Sequence, residues 1–355
     1  MSLETFGYDS RIEASRRACG FQDQEIGRVV AEHRTRFIVA TKSGEVDAET
    51  KGSLRFSLTA REDLPAVGDW IALDRTDASS ALIHGILPRS SVISRQATGG
   101  SGEVQVIAAN VDHALLVQAI DRDFNLNRLD RYLAICRDAR IAPIILLTKI
   151  DLIDPARLAE IRQAAESRTG GAPVVAVTSN APDGYASLES LMEKGKTYCL
   201  LGSSGVGKST LLNRLSGRVV MRTDAISDST GKGRHVTSHR ELVALDNGAI
   251  LIDNPGMREV GLALGGTRIE SGLGPMAFDA GNCRYRDCTH TAEAGCAILA
   301  ALESGRLDRS AYESWRKLEK EREHFESTTA QRRKKDRSFG KMVDSYKKQA
   351  RRSID

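Results

Sequence analysis

Eight residues, Gly202-Ser-Ser-Gly-Val-Gly-Lys-Ser209, constrain this chain more than any other part of it. They fit the pattern G-x-x-x-x-G-K-[ST] in full. An apolar run, Tyr198–Leu201, precedes them and a helix-forming run, Thr210–Leu215, follows. Glycines at this spacing let successive backbone N–H groups curl round phosphate oxygens, and the helix N-terminus adds a positive dipole. Gly202, Ser203, Ser204, Gly205, Val206, Gly207 and Thr210 are the expected cradle. Lys208 would reach the β- and γ-phosphates as a catalytic cation, and the Ser209 hydroxyl would ligate Mg²⁺. A chain built round such a loop folds as a parallel α/β sheet with its ligand at the strands' C-terminal ends.

Two further strings lie where such a site needs them. Asp253-Asn-Pro-Gly256 follows the apolar run Ala249–Ile252. Asp253 is placed to hold Mg²⁺, and the Gly256 N–H to sense the γ-phosphate. Between this string and the cradle runs Gly231-Lys-Gly-Arg-His-Val-Thr-Ser-His-Arg240, polar and glycine-rich like a switch segment. Thr237 is the expected switch threonine on Mg²⁺, with Thr230 and Ser238 close by. The string Thr148-Lys149-Ile150-Asp151 ends the strand Ile144–Leu147. A carboxylate there accepts from N1–H and N2–H₂ of guanine. Adenine offers no such pair of donors, so Asp151 selects GTP over ATP. Lys149 would lie along the base, and Thr178-Ser179-Asn180 would cover its O6 side. The guanine string precedes the phosphate loop by about fifty residues, whereas most P-loop GTPases have it last. The same sheet closes if the termini have moved while the elements keep their neighbours.

The rest of the chain divides by texture. Residues 1–22 read as a polar extension. Short β-rich runs follow at Arg28–Val30, Phe37–Thr41, Leu54–Ser57, Trp70–Leu73 and Ala81–Leu87, which suggests a small barrel of the oligonucleotide-binding type over residues 23–98. Strands and helices alternate over 99–271, with a helix at Leu126–Arg137, a strand at Pro173–Val177 and a short helix at Leu188–Lys194. Residues 272–355 are polar and helical, with a helix at Tyr312–Glu326. The expected class is thus multi-domain: a β-barrel, a central α/β P-loop unit in permuted order, and a helical C-terminal unit.

In that last unit Cys283, Cys288, His290 and Cys296 supply three thiolates and an imidazole within fourteen residues. They make a full tetrahedral set for one structural Zn²⁺, with no position left for water. Cys19, Cys136 and Cys199 are scattered and read as buried small hydrophobes. The net charge of +4 conceals an asymmetry, because Gln331–Ser353 holds ten Lys or Arg against two Asp. Such a tail seeks a polyanion, and with no apolar face beside it RNA is favoured over membrane. Apolar runs are strand-length and the N-terminus lacks a signal-peptide pattern, so a cytoplasmic monomer is the expectation.

With these strings in place the sequence resembles the circularly permuted bacterial GTPases of the ribosome small subunit-dependent GTPase A type. The likeness spans nearly everything after Gly27. It includes Pro65-Ala-Val-Gly-Asp-Trp70, Leu87-Pro-Arg-Ser90, Ala108-Ala-Asn-Val-Asp112 and Gly233-Arg-His235. The resemblance implies GTP hydrolysis to GDP and phosphate, stimulated by the small (30S) subunit, a role late in that subunit's maturation, and contact with 16S rRNA. It also supports zinc at the cysteine cluster. The chain departs from the family pattern at Asn254, where Asp-Thr-Pro-Gly is usual, and at Val236, where a Thr follows the switch histidine. Met257 stands where many GTPases carry a water-orienting Gln, so His235 is the candidate for that role. Two other readings compete: an RNA-binding module whose nucleotide is only structural, and a P-loop kinase acting on a small molecule. The intact Lys208, Ser209, Asp253 and Asp151 disfavour the first, and guanine selectivity disfavours the second.

Overall fold

Among the described residues, eleven strands form one hydrogen-bonded series whose two halves serve different purposes. The computed structural model describes residues 2–33, 36–52, 61–96, 104–121, 124–181, 183–217, 241–253 and 282–326. Helix α1 (Ser10–Ala18) comes first, started by Asp9, whose carboxylate accepts from the Arg11 and Ile12 N–H groups. Strands β1 (Glu25–His33), β2 (Arg36–Thr41), β3 (Gly44–Thr50), β4 (Trp70–Arg75) and β5 (Ser80–Ile86) follow. They pair in the order β1-β2-β3-β5-β4, and β4 pairs back onto β1, which closes a five-stranded barrel. Val29, Val39, Ile71, Leu73 and Ile83 fill it.

Strand β3 escaped sequence reasoning. Its alternating Glu45, Asp47 and Glu49 leave Val46 and Ala48 as its buried residues, too few apolar positions to announce a strand. The expected run Leu54–Ser57 lies outside the described residues. The polar extension is not free of the body either. Phe6 is buried, and its carbonyl accepts from Arg28 Nη1 at 2.5 Å.

After a hairpin of β6 (Val92–Gln96) and β7 (Val104–Ala109), the α/β unit begins with β8 (His113–Ala119), α2 (Leu126–Asp138), β9 (Ala142–Thr148), α3 (Pro155–Thr169) and β10 (Val174–Ala176). A short helix α4 (Ala186–Glu189) precedes β11 (Thr197–Leu201) and α5 (Lys208–Leu215); then come β12 (Glu241–Ala244) and β13 (Ile250–Asp253). Helix α4 starts earlier and ends sooner than the expected Leu188–Lys194. The strands run β10-β9-β8-β11-β13-β12, parallel except for β12. Leu115, Leu146, Leu200 and Leu251 lie on buried central strands, as near-continuous apolar runs demand. β12 also pairs with β1 at Ala31↔Glu241, joining barrel to α/β sheet.

That junction is built from polar residues. Asp69, fully buried, receives Arg89 through Nε at 2.8 Å and Nη2 at 2.7 Å. Asn110 donates to the Gly68 carbonyl at 3.0 Å and accepts from the Ser90 N–H at 2.9 Å. A side chain at Gly68 would place its Cβ 2.1 Å from the Ala109 carbonyl oxygen, so this close approach requires glycine. Arg28 is buried across the same seam, donating to Gly68 O, Asn110 O and Thr197 Oγ1; burial brings its pKa down to about 10, which leaves it cationic at neutral pH. Helices α6 (Ala297–Glu303) and α7 (Arg309–Glu326) are the last elements among the described residues, with Tyr312, Trp315 and Leu318 buried and α7 packed against α2.

Candidate nucleotide site and metal centre

β11 occupies the middle of the sheet, between β8 and β13, and its C-terminal end opens into the predicted phosphate loop. Gly205 and Gly207 take φ of 82° and 96°, the left-handed turns that aim consecutive N–H groups into the loop's concavity. A Cβ at Gly202 would meet the Val117 carbonyl oxygen at 2.5 Å, so the first glycine is fixed by the approach of β8. Ser204, Gly205 and Thr210 are exposed, while Gly202, Ser203 and Val206 are buried beneath. Lys208 begins α5 and folds over the loop, its Nζ donating to the Gly202 carbonyl at 2.8 Å and to that of Ser203. Its ammonium is thereby held where phosphate oxygens would lie.

Asp253 ends the neighbouring β13 and is 8% exposed. Burial pushes its pKa up to about 6, with Glu241 adding to the rise and the Lys208 charge opposing it. A carboxylate kept partly neutral by burial is one that a divalent cation would bring to its ionised form. Ser209 is half-buried at the start of α5.

The guanine string sits at the end of β9, on the far side of β8. Thr148 Oγ1 donates to the Val206 carbonyl at 2.7 Å, which ties base half to phosphate half directly. Lys149 takes φ 60°, turning the chain into a single helical turn, Ile150–Leu152, that carries Asp151 outward. Asp151 accepts from Thr178 Oγ1 at 2.7 Å through one oxygen and from Asn180 Nδ2 at 2.7 Å through the other. A carboxylate has about four acceptor sites. The two remaining can take a guanine edge, so Thr178 and Asn180 orient the carboxylate without consuming it. The structure therefore brings together Thr148–Asp151, Thr178–Asn180 and Gly202–Thr210, with Asp253 beside them. His235, Thr237 and Gly256 lie outside the described residues, as do Thr230, Ser238, Asn254, Met257 and the basic tail Gln331–Ser353. Sequence reasoning missed Asp121, just past β8, and Arg128, in the first turn of α2, which touch Lys149 and Ser203 respectively.

Cys283, Cys288, His290 and Cys296 converge, their ligand atoms all within 4.8 Å of one another. Cys283 Sγ and Cys296 Sγ are 3.9 Å apart, and each lies 3.4 Å from His290 Nδ1. A tetrahedral zinc with bonds of about 2.3 Å to sulfur has sulfur–sulfur edges of about 3.8 Å. The donor set fits such an ion. The Ala297 and Leu299 N–H groups donate to Cys283 Sγ and Cys296 Sγ. Tyr312 Oη donates to the His290 carbonyl at 2.7 Å, and the Trp315 ring packs against the imidazole, so α7 holds the ligand loop from below.

A phosphate cradle, a guanine-type carboxylate reached earlier in the chain, and a barrel and metal cluster at either end define a circularly permuted P-loop GTPase. The family model described as RsgA GTPase matches residues 86–263. A model described as ABC transporter matches 186–345, a span that contains the phosphate loop. The chain is similar to the small ribosomal subunit biogenesis GTPase RsgA of Opitutus terrae, 40% identical over 331 residues and covering 90% of each chain. It is similar too to the small ribosomal subunit biogenesis GTPase RsgA 1 of Bacteroides thetaiotaomicron, 35% identical over 98% of this chain and 97% of that one. Among solved structures, YloQ, a circularly permuted GTPase, matches with a TM-score of 0.63 at 24% identity, covering 87% of this chain and 98% of its own. YjeQ from Thermotoga maritima matches at 0.62 and 24%, covering 84% and 98%. The chain belongs to the RsgA GTPase family and is a GTP-hydrolysing enzyme.

Proposed function

We propose that this enzyme engages the small ribosomal subunit and its 16S rRNA late in maturation, and that it hydrolyses GTP fastest when bound there. The observation that carries the reading is the Thr148–Val206 bond, which ties the strand end bearing Asp151 to the phosphate loop. The names of its relatives, small ribosomal subunit biogenesis GTPases, supply the partner.

In this reading Asp151 takes the guanine edge, and Thr178, Ser179 and Asn180 close over the base. The loop N–H groups of Gly202–Thr210 hold the phosphates, with Lys208 neutralising charge as it develops on the γ-phosphoryl oxygens. Ser209, Thr237 and Asp253 would hold Mg²⁺, which would supply stabilisation of the charge on the phosphates. Gly256 would report the γ-phosphate, and His235 would orient the attacking water in place of the glutamine that Met257 replaces. Cys283, Cys288, His290 and Cys296 would hold one structural Zn²⁺. The reading divides the chain into a barrel over 23–98, a GTPase unit over 99–271 and a zinc unit with a basic tail over 272–355. It takes the protein as a cytoplasmic monomer; among the described residues no helix is long and apolar enough to cross a membrane.

Phosphate release with and without purified small subunits tests the proposal. Stimulated turnover is expected, and no release in either case would sink it. His235→Ala should abolish the stimulated part, and unchanged stimulated turnover would remove His235 from the mechanism. Subunit binding should weaken steeply with salt, and less steeply after truncation at Gln331.

A further inference from the structure

The connection leaving β8 enters the nucleotide site between its two halves. β8 lies between β9, which ends in the guanine string, and β11, which ends in the phosphate loop. Whatever emerges from its C-terminal end therefore rises between base and phosphates. One side chain of this connection and one from the helix that follows it reach out, one to each side. Asp121 Oδ2 accepts from Lys149 Nζ at 2.6 Å. Arg128, in the first turn of α2, donates through Nη1 to Ser203 Oγ at 2.9 Å.

Lys149 needs such a partner for two reasons. Its backbone occupies the left-handed region, at φ 60° and ψ 35°, which a side chain with a Cβ adopts only when its surroundings impose it. That turn is also what sends Ile150–Leu152 outward and presents Asp151. A lysine has a long, flexible stem, and anchoring its ammonium removes rotamer freedom that would otherwise be lost on binding. Thr148, buried against Val206, fixes the turn on one side. Asp121 fixes it on the other.

We propose that Asp121 is a positioning residue for guanine recognition. By holding the Lys149 ammonium it sets the left-handed turn that presents Asp151, and it lays the lysine stem along the plane of the base. The proposal rests on Thr148–Asp151 being the guanine site. The pair is about one-third exposed at each end, so it contributes little to folding, and its loss is read in binding rather than in unfolding.

Fluorescent GDP and GTP titrated into the full-length chain test this in wild type, Asp121→Asn, Asp121→Glu, Lys149→Met and the Asp121→Asn/Lys149→Met double variant. Asp121→Asn should raise Kd for both nucleotides about 3- to 10-fold, the cost of ordering one long side chain. Its urea midpoint should stay at the wild-type value, and Asp121→Glu should recover most of the affinity. The double variant should bind no more weakly than Lys149→Met, because Asp121 acts through that lysine. In subunit-stimulated turnover KM should rise while kcat holds. An unchanged Kd in Asp121→Asn, or losses that multiply in the double variant, would overturn the proposal alone. Failure of the wild type to prefer guanine nucleotides over ATP would overturn the base-site reading and the proposal with it.

Discussion

Replacing Arg168 with methionine removes the charge that fastens two helices of the GTPase sheet to the C-terminal helices. From the end of α3 its guanidinium donates to Asp130 Oδ2 on α2 at 2.9 Å. It also donates to Asp308 Oδ2 at 2.5 Å and to Ser310 Oγ at 2.7 Å, at the start of α7. The two carboxylates are unequal. Asp130 is 1% exposed, and burial raises its pKa against the pull of Arg168 and of the Ser314 hydroxyl. The Asp308 side chain is 60% exposed, so water already screens it. Removing the partner of a buried charge costs about 3–5 kcal/mol, whereas an exposed pair contributes about 0–1 kcal/mol. Arg168→Met should therefore cost about 3–5 kcal/mol at pH 7. Asp308→Ser, which keeps an oxygen able to cap α7, should cost less than about 1 kcal/mol. The sign with pH is fixed as well. Asp130 already has a folded pKa above its unfolded value, and losing Arg168 raises it further. An acid shifted in this direction stabilises the fold at low pH and ceases to do so as pH rises through the folded pKa. The deficit of Arg168→Met should thus shrink between pH 7 and pH 5. Urea unfolding followed at Trp315, which is buried in α7, reads both quantities. A cost under about 1 kcal/mol at pH 7, or one insensitive to pH, would refute the assignment of a buried charge pair.

Asp253→Asn should abolish turnover yet raise the unfolding midpoint in EDTA without nucleotide. The native acid, with a folded pKa of about 6 against 3.8, loses its contribution to stability as pH rises between those values. A variant whose stability at pH 7 equals wild type would contradict this. Thr148→Val leaves the buried Val206 carbonyl without its 2.7 Å donor and should cost about 1–3 kcal/mol in urea unfolding, with weaker GDP binding. An unaltered GDP affinity would separate the two halves of the site. Removing zinc with a strong chelator should reduce the helical circular dichroism of α6 and α7 while GDP affinity changes less than about threefold. Loss of nucleotide binding on chelation would mean the units are not separable.

What was legible in the sequence was what chemistry packs into short strings. Gly202–Ser209, Thr148–Asp151 and Cys283–Cys296 each place their groups within one turn or loop, so spacing along the chain stands in for distance. The strands of the parallel sheet were legible for a related reason: burial on both faces demands apolar runs such as Ile144–Leu147. The pairs that hold the units together left no such trace. Asp69 and Arg89 are twenty residues apart, Arg168 and Asp308 many more, and neither residue of a pair announces the other. Arg28 reads as one polar residue in a β-rich run, yet it is buried among acceptors from four segments. The strings Pro65–Trp70, Leu87–Ser90 and Ala108–Asp112 were noticed as family resemblance without a physical reason. The reason is the junction they build, through Asp69–Arg89 and Asn110–Ser90, which fixes the barrel against the GTPase sheet.

In the permuted order the segment after Gly256 leads directly into the C-terminal unit, and it lies outside the described residues. The described residues supply a second route, and it runs through α2. Arg128, in the first turn of this helix, binds Ser203 of the phosphate loop, and two residues later Asp130 binds Arg168. α7, which holds the Cys283–Cys296 loop by Tyr312 and Trp315, packs along the same helix. Less than one helical turn, about 3 Å of rise, therefore separates a contact to the phosphate loop from a contact to the clamp on the cysteine cluster. A packed helix moves as a body rather than bending over so short a span. Any shift of Ser203 on phosphate binding that Arg128 follows would then be delivered to Arg168 and α7 without passing through the segment after Gly256. The two routes make different demands on the same variants. A signal carried after Gly256 survives Arg128→Ala, whereas one carried by α2 is lost with it, and subunit-stimulated turnover in that variant tells them apart.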